Sequence, residues 1–378
     1  MAGLYLHIPF CQQKCPYCDF YSVPVCAANI ADYPNLLKQH LIWAAEHGEN
    51  RPIDTIYFGG GTPSLLSPES VTKILQAINH SLGVTKNAEI SLEANPGTVS
   101  QRSLAGFREA GVNRLSLGLQ TCNEKQLVRL GRLHDRQEGI DAFNWARDAG
   151  FDNLSLDLMF ALPGQTLGEL EDDLCHYLEL DPEHLSCYGL TAEPETPFQQ
   201  RVARGELTLP DQDFYADAYM LIHERLGSAG YEHYEIANYA RVGYTCRHNL
   251  GYWQRRPCIG IGAGAHSFRA AQWGSRWEIP TDLEAYRQAL HDGQEPMRCL
   301  ETFDEQSALS ETLYLALRTR QGITDAELLQ HFGCRLQDAF PEAVAASTQW
   351  LVNDHGRWSL TPSGWLLFDR LILPFLQE

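Results

Sequence analysis

The 378-residue sequence has no basic-then-apolar leader before Tyr5. It also lacks any apolar run approaching the ~18 residues that a membrane-spanning helix needs. Both absences lead to the expectation of a cytoplasmic protein with no transmembrane segment. Positive charge is in short supply, with 29 Lys and Arg against 48 Asp and Glu and a formal net charge of −19. Broad phosphate-driven binding needs clustered cations, so this deficit argues against nucleic acid as a partner. No internal repeat or low-complexity stretch is evident, and 44% apolar with 20% charged residues is an ordinary globular composition rather than a disordered one. A secreted disulfide framework is missing too. The 11 cysteines are odd in number, and Cys26, Cys122, Cys175, Cys187, Cys246, Cys258, Cys299 and Cys334 stand singly at irregular intervals.

What is present begins with alternation. Short aliphatic runs at 4–8, 55–58, 89–93, 114–119, 153–159 and 184–190 are each bounded by turn residues. Helix-period segments separate them, at roughly 33–46, 68–82, 101–110, 138–149 and 167–180. Repeated strand–helix alternation implies an α/β fold of parallel βα units with right-handed crossovers. Six units are too few for a closed eight-stranded TIM barrel, so a partial (β/α)6 TIM-like barrel is expected, with its ligand site at the carboxyl ends of the strands. The cysteine cluster, a glycine triplet, Glu93, Gln120 and Asp157 fall at or near five successive strand ends, and so converge on one face.

The pattern divides the chain into a barrel at 1–240, a connecting region packed on it at 241–300 and a small mainly helical domain at 301–378. In the last part, helices at 304–318, 324–332 and 340–353 and a strand at 357–360 precede a final apolar helix, which resembles a winged-helix module. Its 11 acidic and 5 basic residues make docking to DNA an unsuitable role. A helix at 211–229 and a strand near 234–237 close the barrel region. The 241–300 region is the only stretch with more basic than acidic residues, 8 against 5.

Cys11, Cys15 and Cys18 form a C-x3-C-x2-C pattern on a loop after the first strand. A structural zinc site usually takes four protein ligands. Iron–sulfur clusters usually take four cysteines, so three leave one iron open to a ligand. Other residues read two ways when taken singly. Gly59-Gly60-Gly61 suits a tight βα turn as well as a ligand loop, Glu93 a helix cap, and Arg132 a surface charge. Asp157 in an apolar strand requires a partner.

The run from Tyr5 to Cys18 resembles the cluster loop of radical S-adenosylmethionine (SAM) proteins. More narrowly, the chain is similar to the oxygen-independent coproporphyrinogen III oxidase family, and within it to a heme chaperone branch. The resemblance spans essentially the whole sequence, and it implies a radical SAM partial barrel with three ligands: a 4Fe–4S cluster, SAM and heme. It implies cluster ligation by Cys11, Cys15 and Cys18, with Tyr17 packed beside the cluster and the adenosyl group. It implies SAM contacts from Tyr5, Gly60, Gly61, Thr62 and Glu93, and a second nucleoside site lined by Gln120, Arg132 and Asp157. A cluster-dependent homodimer also follows from the resemblance alone.

Two departures from the oxidase pattern bear on activity. Phe20, preceded by Asp19, stands where the oxidase has a further cysteine, and the chain starts four residues before Tyr5, without the oxidase's long N-terminal segment. The expected function is therefore heme delivery to apo-hemoproteins, with oxidative decarboxylation of coproporphyrinogen III as the alternative, or radical chemistry on another substrate. Whether SAM is cleaved productively is left open. His248-Asn249-Leu250-Gly251-Tyr252-Trp253 matches the branch's HNxxYW heme motif. The match implies His248 as the heme-iron ligand, with Tyr252 and Trp253 against the porphyrin. Without the resemblance, the same histidine reads as a hydrogen-bonded core residue. His266 is a weaker second candidate and His7 an equally good structural residue. Arg247, Arg255 and Arg256, in the basic stretch, are expected to favour the propionates of heme.

Overall fold

The computed structural model describes residues 1–48 and 51–376. Among them, six parallel strands run side by side in chain order: β1 (Ala2–Ile8), β2 (Ile53–Gly60), β3 (Val84–Ala94), β4 (Arg114–Gln120), β5 (Leu154–Phe160) and β6 (His184–Gly189). They read as continuous apolar runs because both faces are covered, as β1 illustrates with six of its seven residues buried. Helices at Ala27–Glu46, Pro68–Ser81, Gln101–Ala110, Arg136–Asp148 and Leu167–Leu180 make the crossovers. Capping boxes start three of them, at Ser100, Asp135 and Thr166. This is the expected partial barrel.

Both edges continue beyond the six strands. After the helix Gln212–Ser228, β7 (Glu232–Glu235) and β8 (Asn238–Ala240) form a hairpin where one strand was expected at 234–237, and β8 pairs antiparallel with β6. On the other edge β9 (Cys258–Ile261) pairs parallel with β1, followed by β10 (His266–Arg269), β11 (Ser275–Glu278) and β12 (Arg298–Thr302). The result is one 12-stranded sheet in the order β12-β11-β10-β9-β1-β2-β3-β4-β5-β6-β8-β7.

The C-terminal part carries helices Glu305–Ala316 and Asp325–Phe332 and a 3-stranded sheet. The helix expected over 340–353 ends at Ala346, and Leu351–Asp354 is instead a strand paired with Arg357–Leu360. The reason is the turn between them, where His355 and Gly356 adopt φ of 50° and 85° and fold the chain back on itself. The final apolar segment is likewise broken, into helices Pro362–Leu366 and Phe368–Ile372.

Candidate functional site

A cleft of about 360 Å3 opens at the carboxyl ends of the parallel strands. Its base at the first strand is pinned by a short parallel ladder, Phe10–Cys11 against Val23–Pro24, so that the 12–22 segment closes as a loop. The turn from Cys15 O to Cys18 N (3.1 Å) and the bond from Phe198 N–H to Pro16 O (2.9 Å) hold that loop against the barrel. Cys11, Cys15 and Cys18 all line the cleft. Among the described residues, no three His, Cys, Asp or Glu side chains gather as they would around a metal ion, so the three thiols share a cleft wall rather than enclose a point.

The donors beside these sulfurs suit thiolates. The Thr62 hydroxyl donates to Cys11 Sγ at 3.5 Å and Arg132 Nη1 to Cys15 Sγ at 3.7 Å. Burial pushes the Cys18 thiol up, opposed by a bond from the Phe20 backbone. Arg132 is itself aimed by the Gly118 carbonyl (2.7 Å) and by Asn95, whose amide also reaches Thr62 Oγ1 at 3.2 Å. Asn95 thus ties the two sulfur-facing donors together.

Backbone shape supplies the next wall. Gly60 has φ of 112°, and a Cβ there would meet the His7 ring at 2.6 Å; a Cβ on Gly61 would meet Phe10 O at 2.7 Å. Only glycine lets this turn lie against the cluster loop. Glu93 closes the wall, accepting from Tyr57 OH at 2.8 Å and Gly60 N–H at 3.2 Å. Burial raises its carboxyl to about 7, with those two bonds pulling the other way. Asp157 is raised to about 6 by burial, against hydrogen bonds from Ser116 and Ser186. Gln120 ends β4 with φ of 70°, a strained conformation for a residue with a side chain. Two carboxyls that titrate near neutrality and a strained strand end in one cleft mark a binding site.

Of the residues expected here, Tyr17, Gly60, Gly61, Thr62, Glu93, Gln120, Arg132 and Asp157 all line the cleft with the three cysteines. Tyr5 does not line it. It lies beneath, with its hydroxyl 3.1 Å from His7 Nδ1 and its ring stacked near Tyr57. The sequence reading missed Asn95, Ser116, Met159 and Tyr188, which complete the lining. Tyr188 sits near the end of β6, so the strand-end rule extended by one strand would have found it.

The histidine motif lies elsewhere and differs from expectation. Arg247–Trp253 is a helix whose first turn is capped by Glu89, which accepts from Arg247 N–H (3.1 Å) and His248 N–H (3.0 Å). The His248 ring is buried, with Nδ1 2.9 Å from Thr55 Oγ1 and Nε2 2.8 Å from Tyr252 OH. It stacks on Tyr57 at 5.1 Å, and burial together with Arg114 and Arg256 lowers it to about 3. Both ring nitrogens are engaged, so in this conformation neither is open to iron. The basic patch needs the same correction. Arg255 is paired with Glu311, Arg256 with Asp54 (2.6 Å), and Arg247 donates to Asn87 O (2.8 Å). His266 is exposed on β10 and His7 is buried on β1.

Comparison with known proteins accounts for this arrangement. Residues 5–174 match the Radical SAM superfamily and residues 303–367 the HemN C-terminal domain. The chain is 35% identical to the heme chaperone HemW of Bacillus subtilis, with both chains covered in full. It is 36% identical to that of Haemophilus influenzae over 100% of this chain and 98% of the other. With that of Escherichia coli the identity is 44% over 70% of this chain and 69% of the relative. Among solved structures, Escherichia coli coproporphyrinogen III oxidase (HemN) superposes with a TM-score of 0.85 at 22% identity, covering 100% of this chain and 90% of that one.

Proposed function

The chain belongs to the heme chaperone HemW family within the radical SAM superfamily, and from that premise we propose that it carries heme and hands it to apo-hemoproteins in the cytoplasm. The full-length likeness to relatives bearing that name carries the reading. Among the described residues no helix is long and apolar enough to cross a membrane. A homodimer that depends on the cluster belongs to the same proposal.

In this reading Cys11, Cys15 and Cys18 hold a 4Fe–4S cluster and the cleft takes SAM beside it. The fit rests on the three thiols with their two donors and on the cradle that a Cβ at Gly61 would fill. Such a cluster supplies electron transfer and one iron open to a ligand. Thr62 and Arg132 stabilise the thiolates, and Gly60 and Gly61 admit the methionyl part of the ligand. Glu93 accepts from ribose hydroxyls or the amino group, and Asp157 and Gln120 receive the nucleoside.

Anaerobic reconstitution tests this. The intact chain is expected to take up a cluster and one heme per chain without converting coproporphyrinogen. Cys15→Ala is expected to lose the cluster absorption. Porphyrinogen turnover at ~1 per second, an ordinary enzymatic rate, would instead favour the oxidase reading.

A further inference from the structure

The motif helix Arg247–Trp253 has two faces. His248 and Tyr252, four residues apart, point into the barrel, where they bond to one another. Leu250 and Trp253, three apart, line a second cleft of about 360 Å3, between this helix and the C-terminal module. That size lies within the range of small-molecule sites, ~300–1,000 Å3. The wall opposite is Ile323, His331 and Phe332.

Three features of this second cleft call for a ligand. The ring of Phe332 is backed by Trp273, stacked at 5.7 Å, so a flat apolar face is already braced. The indole N–H of Trp253 is buried and has no acceptor, which is uncommon for a buried donor. His331, exposed at the end of the helix Asp325–Phe332, has no hydrogen bond to its ring nitrogens among the described residues, in contrast to His248. Arg256 shares the lining, with Nη2 held by Asp54 and further donors in the same fork.

We infer that heme seats in this second cleft, between Trp253 and Phe332, with a ring nitrogen of His331 as an axial ligand to its iron. The inference rests on the heme-carrying reading above and gives the cargo a site. A planar macrocycle needs opposed apolar walls and its iron needs an imidazole lone pair. Here both come from the face of the motif helix opposite His248 and from the module packed against it. The cleft opens to solvent along one side, which suits a cargo that must leave. His248 then positions the helix, and the motif's Trp253 meets the porphyrin.

The test is an anaerobic hemin titration of the full reconstituted chain, read at the Soret band. His331→Ala is expected to weaken hemin binding ~10-fold or more, the equivalent of one good coordinating contact, and to shift the Soret maximum. Added imidazole should restore that maximum, which a merely structural histidine would not permit. Thr312→Trp, which fills the cleft from the helix Glu305–Ala316, should lose hemin while keeping the cluster spectrum. Unchanged affinity and spectrum in His331→Ala overturns the inference. Hemin lost in His248→Gln alone, with His331→Ala intact, overturns the placement and leaves the carrier reading standing. A wild-type chain that takes up no hemin overturns both.

Discussion

Glu93 is a buried acid facing a cleft, and its pH behaviour has a definite sign. Its carboxyl lies at about 7 in the fold against an ordinary value of 4.5, because burial penalises the charged form. The folded chain therefore binds this proton more tightly than the unfolded one, and stability falls as pH rises between those two values. Glu93→Gln is expected to raise the unfolding temperature at pH 8 and leave it unchanged at pH 4. In the same variant, SAM affinity should lose its rise through pH 7, since only the ionised carboxylate accepts at full strength. Thermal scans and ligand titrations at the two pH values check both. His248 behaves in the opposite way to a free ligand: its ring has two partners and lies against Gly3 and Tyr57. His248→Ala should cost ~2–4 kcal/mol from the cavity and the unpaired Thr55 and Tyr252 hydroxyls, measured by urea unfolding. Sequence identified this histidine but could not show its neighbours. Thr55 and Tyr252 lie 193 residues apart from it and 4 away, respectively, and only the fold brings the first into contact.

Among elements, the strand ends were the most legible part of the chain. Alternation of apolar runs and helical periods fixed which residues follow each strand, and the cleft gathers Cys11, Gly61, Glu93, Gln120 and Asp157 as that rule expects. The turn after β2 shows why the rule works, because its geometry tolerates no side chain. Gly60→Ala forces a left-handed residue to carry a Cβ against the His7 ring, a strain of roughly 1–3 kcal/mol. SAM binding should fall by at least ~10-fold in that variant, while Gly83→Ala, where a Cβ meets nothing within 4 Å, should leave it unchanged. Isothermal titration reads the difference. Less legible were the turns that break apolar runs. His355-Gly356 converts an expected helix into a hairpin, because a turn-forming pair outweighs the helical period on its N-terminal side. The residue-level gap was Asn95, a loop amide whose role depends on Thr62 and Arg132 both being close, 33 and 37 residues away in sequence.

At the scale of the whole molecule, the partial barrel could be read from the sequence, whereas the sheet's extension past β1 could not. β9 joins its neighbour across more than 250 residues of chain, and its pairing partner leaves no local signal. The charge distribution was also only half legible. Counting found the single basic stretch, but the fold uses its arginines to tie the motif helix to Asp54 and Glu311. The cleft beside Trp253 is therefore bounded by the barrel edge on one side and the C-terminal module on the other, so the cargo site requires both parts of the chain. The most direct measurement of the central claim is heme partition. The chain, reconstituted with its cluster and loaded with one equivalent of heme, is mixed anaerobically with an apo-hemoprotein, and the Soret band is followed over time. The band is expected to move from the position of the carrier to that of the recipient, with the recipient gaining the heme the chain loses. A Soret band that stays with the chain while apo-hemoprotein remains empty would contradict the claim.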